Sequence, residues 1–184
     1  AVLEEIPAQY GFHTLPVLIV DIGTGACQVS AYDCGNLCFT ETLKVGTLRA
    51  IEQLHGTYSS SAMNYYTAML IDSAFSELRS ISENLKAESI IAMGTSARAL
   101  LKVIRDKNPP GAATSITRDK FFLLRTEISE FTYEEISEKY GLAPDLAEMI
   151  QPCCMILDNL LRLTDAATII IPMASTKYLL LRDF

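Results

Sequence analysis

The chain has 184 residues, 49% of them apolar, with 15 basic against 22 acidic side chains and a formal net charge of −7. That length suits one domain with a sizeable core, and the acidic balance excludes the electrostatic footprint of a nucleic-acid or acidic-membrane binder, so any anion must be held locally. No apolar run approaches the roughly 20 residues of a membrane helix and no signal-peptide layout opens the chain, so a cytoplasmic location is expected.

Val17 to Ile22 is a near-continuous apolar run rich in β-branched residues, which predicts a central strand covered on both faces. Gln28 to Tyr32 and Leu37 to Val45 follow, the second with Leu37, Phe39, Leu43 and Val45 toward one side. The turn chemistry of Asp33-Cys34-Gly35-Asn36 between them predicts an antiparallel meander. A short helix is expected over Thr47 to Leu54, ending near Gly56. A longer one should start at the Ser59-Ser60-Ser61 cap and run to Leu85, with Met63, Tyr66, Leu70, Ala74, Leu78 and Ile81 as its stripe.

Ser89 to Met93 reads as another strand, linked by Gly94-Thr95-Ser96 to a helix through Ala97, Leu100, Leu101 and Ile104, after which Lys107 to Ser115 reads as a loop. Thr117 should cap a helix that presents Phe121, Leu124 and Ile128, and Thr132 to Glu135 forms a capping box for a short helix closed by Gly141. A helix starting near Pro144, striped by Leu146, Ile150, Cys153, Leu157, Leu160 and Leu161, should be kinked by Pro152. Ala167 to Ile171 is the final strand. The order predicts an α/β, ribonuclease H-like half-domain over residues 1–184, with three antiparallel strands, then crossover strands, and a helical insert at about 116–164.

Cys27, Cys34, Cys38, Cys153 and Cys154 are odd in number and lack zinc spacing, so all are expected as core thiols, and His13 and His55 alone argue against a histidine metal centre or a Ser-His-Asp triad. Tyr65, Tyr66, Phe121 and Phe122 at helical spacing read as packing, and Glu134, Glu135 and Glu138 as a solvated helix face.

The run Asp21-Ile22-Gly23-Thr24-Gly25 after a buried strand resembles the phosphate-binding loop of the sugar kinase, heat-shock protein and actin superfamily. More closely, the chain resembles the second half of the exopolyphosphatase and guanosine pentaphosphate phosphohydrolase (Ppx/GppA) family. That half carries Asp-Ile-Gly-Gly-Gly-Ser-Thr-Glu where this sequence has Asp21 to Gln28, and Leu-Gly-Ala-Val-Arg where it has Val45-Gly46-Thr47-Leu48-Arg49. Its Gly-Thr-x-Arg-x-Leu element is echoed from Gly94 to Leu100, its Ile-Thr-Arg-Glu at Ile116 to Asp119, and its Gly-Leu-Ser-Pro-Glu-Arg-Ala-Asp at Gly141 to Glu148. The matches keep the family's order along nearly the whole chain. They depart from it at Ala26-Cys27-Gln28, where the family places Ser, Thr and Glu, and at Ser175 to Leu179, where Lys177 replaces its Arg.

The resemblance implies an actin-like ATPase superfamily fold and part of a magnesium-dependent hydrolase of phosphoanhydride bonds in polyphosphate or guanosine pentaphosphate. Gly23, Thr24, Gly25, Gly94 and Thr95 would bring backbone and hydroxyl groups to phosphate, Asp21 would hold magnesium or its water, and Arg49 and Arg98 would balance phosphate charge. The plainer alternatives are a tight turn that needs glycine and arginines that snorkel at helix starts. The family's general base, a Glu, lies in the first half. That half, an N-terminal partner half-domain, is absent from a chain that begins at Ala1 rather than Met, so this chain supplies no catalytic residue and is expected to be inactive alone. The alternative function is a degenerate, non-catalytic module that binds phosphate or a nucleotide or regulates a partner, with a homodimer among the assemblies it allows.

Overall fold

The computed structural model describes residues 15–52, 65, 68–76, 87–106 and 115–172. Three strands come first: β1 (Val17–Ile22), β2 (Cys27–Asp33) and β3 (Asn36–Leu43). Helix α1 (Thr47–Glu52), a helical stretch at 68–76, strand β4 (Ser89–Met93) and helix α2 (Thr95–Asp106) follow. The last third contains β5 (Ser115–Thr117), α3 (Arg118–Ser129), α4 (Tyr133–Tyr140), α5 (Pro144–Glu148), α6 (Ile150–Leu163) and β6 (Thr168–Ile170). The remainder of the helix expected from Ser59 to Leu85, and Lys177, lie outside the described residues.

The six strands lie in the order β3-β2-β1-β4-β6-β5. β1, β2 and β3 pair antiparallel, β1–β4 and β4–β6 pair parallel, and β5 pairs antiparallel with β6. The register aligns Phe39, Ala31, Leu18, Ile90, Ile169 and Ile116 in one row across all six strands. Val17 and Ile19, on the other side of β1, are buried as well, which is why that strand reads as a continuous apolar run rather than an alternating one.

The sequence reading needs four corrections. Ser115 belongs to a strand: β5 is three residues long, too short to show a period, and it ends at Thr117, which precedes α3 without a side-chain cap hydrogen bond. The third strand stops at Leu43 rather than Val45, and Leu37 is 50% exposed because β3 is an edge strand. The helix expected from Pro144 is two helices broken at Met149. Pro152, which has no N–H to bond back toward Glu148, then falls in the first turn of α6, where that donor is dispensable. Finally, Cys34 and Cys38 are exposed, while Cys27, Cys153 and Cys154 are core thiols.

Cys34 has φ +49 and Gly35 φ +78, and Asp33 pairs with Asn36, so β2 and β3 are joined by a two-residue turn with both central residues left-handed. Asn tolerates that conformation better than Cys. We expect Cys34→Asn to raise stability by about 0.5–1 kcal/mol, read as a shifted denaturation midpoint at unchanged slope; a loss would argue against the turn geometry.

The helical insert buries most of the stripe residues its sequence predicts, Leu146 being only half-buried. Phe121, Leu124 and Ile128 on α3, Ile136 on α4, and Ile150, Cys153, Leu157, Leu160 and Leu161 on α6 join one core with Leu18, Ile90 and Ile169 of the sheet. The expected capping box is present: the Thr132 N–H donates to Glu135 Oε2 at 2.7 Å and the Glu135 N–H to Thr132 Oγ1 at 3.3 Å. Gly141 closes α4 at φ +59. Asp158, buried on α6, accepts from Arg162 Nε at 3.1 Å with Arg125 of α3 at 3.9 Å, which staples the two helices.

Candidate functional site

Because β1 and β4 run parallel, Asp21 and Gly94 arrive at the same end of the sheet, the carboxyl edge where open α/β sheets receive ligands. Gly94 has φ +102, and a Cβ there would stand 2.3 Å from the Ile22 carbonyl oxygen and 3.2 Å from Asp21 Oδ1. The turn after β4 therefore lies directly against the end of β1. α2 starts at once: the Arg98 N–H donates to the Gly94 carbonyl at 3.1 Å, and the Arg98 guanidinium donates to Thr95 Oγ1 at 3.4 Å. Partial burial raises the Asp21 pKa above its ordinary value of 3.8, and the Arg98 charge opposes that rise without cancelling it.

The β1–β2 loop is held from inside. The Gly23 N–H donates to the Ala26 carbonyl at 3.0 Å, and a Cβ on Gly23 would come within 2.8 Å of that oxygen, so turn closure accounts for this glycine. The Gly23 carbonyl accepts from the Thr47 N–H at 3.2 Å. A Cβ on Gly46 would meet the Thr24 carbonyl oxygen at 2.3 Å, so the start of α1 is wedged against the loop.

Gly25 is different. It has no left-handed φ and nothing within 4 Å of an added Cβ, so neither strain nor packing within the described residues requires glycine. Thr24 and Gly25 are exposed, and neither makes a hydrogen bond among the described residues. The loop tip thus leaves two backbone donors unused among the described residues, with open space over Gly25.

The departing residues fall on three different environments. Ala26 is exposed. Cys27 is 0% exposed, and burial, with the Asp21 carboxylate nearby, pushes its thiol pKa up to about 12, the setting of an inert core thiol. A hydroxyl at position 27 would enter the core instead of reaching the loop tip. Gln28 faces Asp21 across the β1–β2 pair, and its amide donates to Thr40 Oγ1 at 3.3 Å.

The structure therefore brings Asp21, Gly94, Thr95 and Arg98 together at the end of β1, where the loop of Gly23, Thr24 and Gly25 begins. Arg49 sits on α1, and its side chain lies outside the described residues. Two residues that sequence reasoning passed over join the floor of the site: Thr47 and Ser96, wholly or nearly buried, whose hydroxyls are 3.0 Å apart. The signal available for them was a hydroxyl in the first turn of each helix that follows a site loop. Among the described residues no three Asp, Glu, His or Cys groups converge, and Asp21 is the carboxylate at this edge. Magnesium commonly takes one or two carboxylates and fills its shell with water and substrate phosphate, and a single Asp fits that use.

Three antiparallel strands, two parallel crossover strands and a glycine loop between the first pair make a ribonuclease H-like, actin-like fold. Solved structures of exopolyphosphatases and Ppx/GppA phosphatases share this fold. An exopolyphosphatase from Cytophaga hutchinsonii matches with a TM-score of 0.77 and 17% identity, over 92% of this chain and 56% of that one. An Aquifex aeolicus Ppx/GppA family member matches with a TM-score of 0.77 and 14% identity, over 99% and 60%. An exopolyphosphatase-like protein gives 0.74 and 12%, over 92% and 58%. The chain thus spans less than two thirds of their length. No protein-family model and no curated protein matches the sequence. No helix of the described residues is long and apolar enough to cross a membrane.

Proposed function

We propose that this chain is one half of a two-part phosphatase site that binds the phosphates of polyphosphate or guanosine pentaphosphate, with magnesium between those phosphates and Asp21. The observation that carries the reading is the open loop tip at Gly25, on the loop that follows an Asp21 within reach of the Arg98 charge, in a fold shared with exopolyphosphatases. Thr24 and Gly25 N–H groups would hold phosphate oxygens, each charge-assisted bond contributing about 1.5–3 kcal/mol, and the Arg98 guanidinium would offset phosphate charge. A bound magnesium ion would supply charge neutralisation at the oxygens. No described group stands ready as general base, so hydrolysis requires a second half-domain.

Asp21 provides the test. Next to a bare polyanion its carboxylate repels, whereas under magnesium it is a ligand. In calorimetric titrations with polyphosphate, Asp21→Asn is expected to strengthen binding without magnesium and to weaken it with magnesium, by about tenfold each way. A change of the same sign in both conditions would overturn the metal role, and no binding at all by the unaltered chain would overturn the site. The stability sign follows from the raised pKa. The Asp21 contribution is present below the ordinary value of 3.8 and is lost as pH rises through the folded-state value, so Asp21→Asn is also expected to be the more stable protein at neutral pH. The chain alone is expected to release no phosphate; magnesium-dependent release abolished by Asp21→Asn would contradict the two-part site.

A second reading, a binding module without catalysis, is favoured by Gln28 and Ala26. The amide opposite Asp21 is engaged with Thr40, and no side-chain hydroxyl stands at position 26.

A further inference from the structure

A hydrogen-bonded line runs through the protein from the loop to the helical insert. The Gly23 carbonyl accepts from the Thr47 N–H at 3.2 Å, Thr47 Oγ1 lies 3.0 Å from Ser96 Oγ, and Ser96 Oγ donates to Met149 Sδ at 3.6 Å. Thr47 is 0% exposed and Ser96 1%, so water does not compete for these groups. A thioether sulfur is only an acceptor, so when Ser96 donates to Met149 its oxygen is left to accept from Thr47. The far end of the line matters because Met149 is the residue at which α5 gives way to α6, and its carbonyl accepts from the Cys153 N–H at 3.1 Å, the bond that starts α6 after the break. Its near end is equally constrained, since Gly46 presses on the Thr24 carbonyl beside it.

We infer that Thr47 and Ser96 are positioning residues that tie the setting of loop 23–26 to the helix break at Met149, so that an oxyanion on the loop and the geometry of the insert bias one another. Thr47 meets the loop through its backbone N–H and Ser96 through its hydroxyl, so a methyl group in place of either hydroxyl would keep the shape and remove the bonded contact between α1, α2 and Met149. Coupling of this kind is reciprocal: a ligand that fixes the loop tightens the break, and loosening the break weakens the ligand. The ligand half of the inference rests on the proposed phosphate reading; the mechanical half does not.

Hydrogen exchange of single amides separates the two. The probes are the Gly23 N–H at one end, the Cys153 N–H at the other, and the Ile19 N–H in β1 as a reference for global unfolding. Thr47→Val keeps the side-chain shape and removes the hydroxyl, and is expected to speed exchange at Gly23 and Cys153 by about fivefold relative to Ile19, the loss expected for one neutral hydrogen bond. Thr47→Ser should restore both, and Ser96→Ala should repeat the loss if Thr47→Val folds poorly. Acceleration at one end only, or equal acceleration at all three probes, would overturn the link. Adding polyphosphate to the unaltered chain should slow Cys153 exchange, and Thr47→Val should weaken that binding about fivefold. If the unaltered chain binds no polyphosphate, the phosphate reading falls and the exchange pattern of the variants still decides the link.

Discussion

Gly94→Ala is expected to lower stability by about 3 kcal/mol or more. Two separate effects add there. A side chain at φ +102 is strained whatever space surrounds it, and the added Cβ would stand 2.3 Å from the Ile22 carbonyl oxygen, a backbone atom of the central strand that cannot swing aside. The relief available is a shift of the turn away from β1, which moves Thr95 and Arg98 from Asp21 and should weaken anion binding as well. A thermal melt lowered by about 6–12 °C is the expected reading for a domain of this size. A drop corresponding to less than about 1 kcal/mol would mean that the turn does not lie against β1.

Phe121→Ala should cost about 3–5 kcal/mol. The ring is wholly buried on α3 and belongs to the core that joins the insert to the sheet, with the half-buried Phe122 ring 6.2 Å away and tilted by 59°. Truncation leaves a cavity among residues anchored in several elements, none of which can close it alone. Guanidinium denaturation should show a lowered midpoint with the slope retained. A retained midpoint, or a new early transition involving the insert alone, would show that these helices fold as a separate unit.

Legibility in the sequence followed the strength of local periodicity. β1 and β4 were readable because burial on both faces writes an apolar run, α3 and α4 because each has one buried stripe, and the body of α6 because it is apolar on almost every side. β5 was not, since three residues carry no period and its pairing with β6 is a tertiary event. The exposure of Cys34 and Cys38 was hidden for a related reason: a cysteine in a turn and one on an edge strand look in sequence like cysteines anywhere.

At the site, Asp21, Gly23, Gly25, Gly94 and Arg98 were found by their order along the chain, but their reasons differ. Gly23 and Gly94 are glycine because the backbone closes on them, whereas Gly25 is the position that packing leaves unexplained. Thr47 escaped because the motif it resembles has alanine there, and a hydroxyl gains meaning only when Ser96, from a different part of the chain, is placed 3.0 Å away.

The row of residues across the sheet carries a consequence for how the chain acquires its shape. β1, β2 and β3 meet through short turns and can pair as soon as they leave the ribosome, whereas Leu18 must wait for Ile90, and Ile90 for Ile169, before the parallel centre exists. Closing such distant contacts is entropically slow, so the meander would stand for a time with its buried face open and β1 lacking a neighbour on one side. The interval is a hazard of the topology itself, and the acidic surface, by keeping partly folded chains apart through mutual repulsion, is a fitting companion to it.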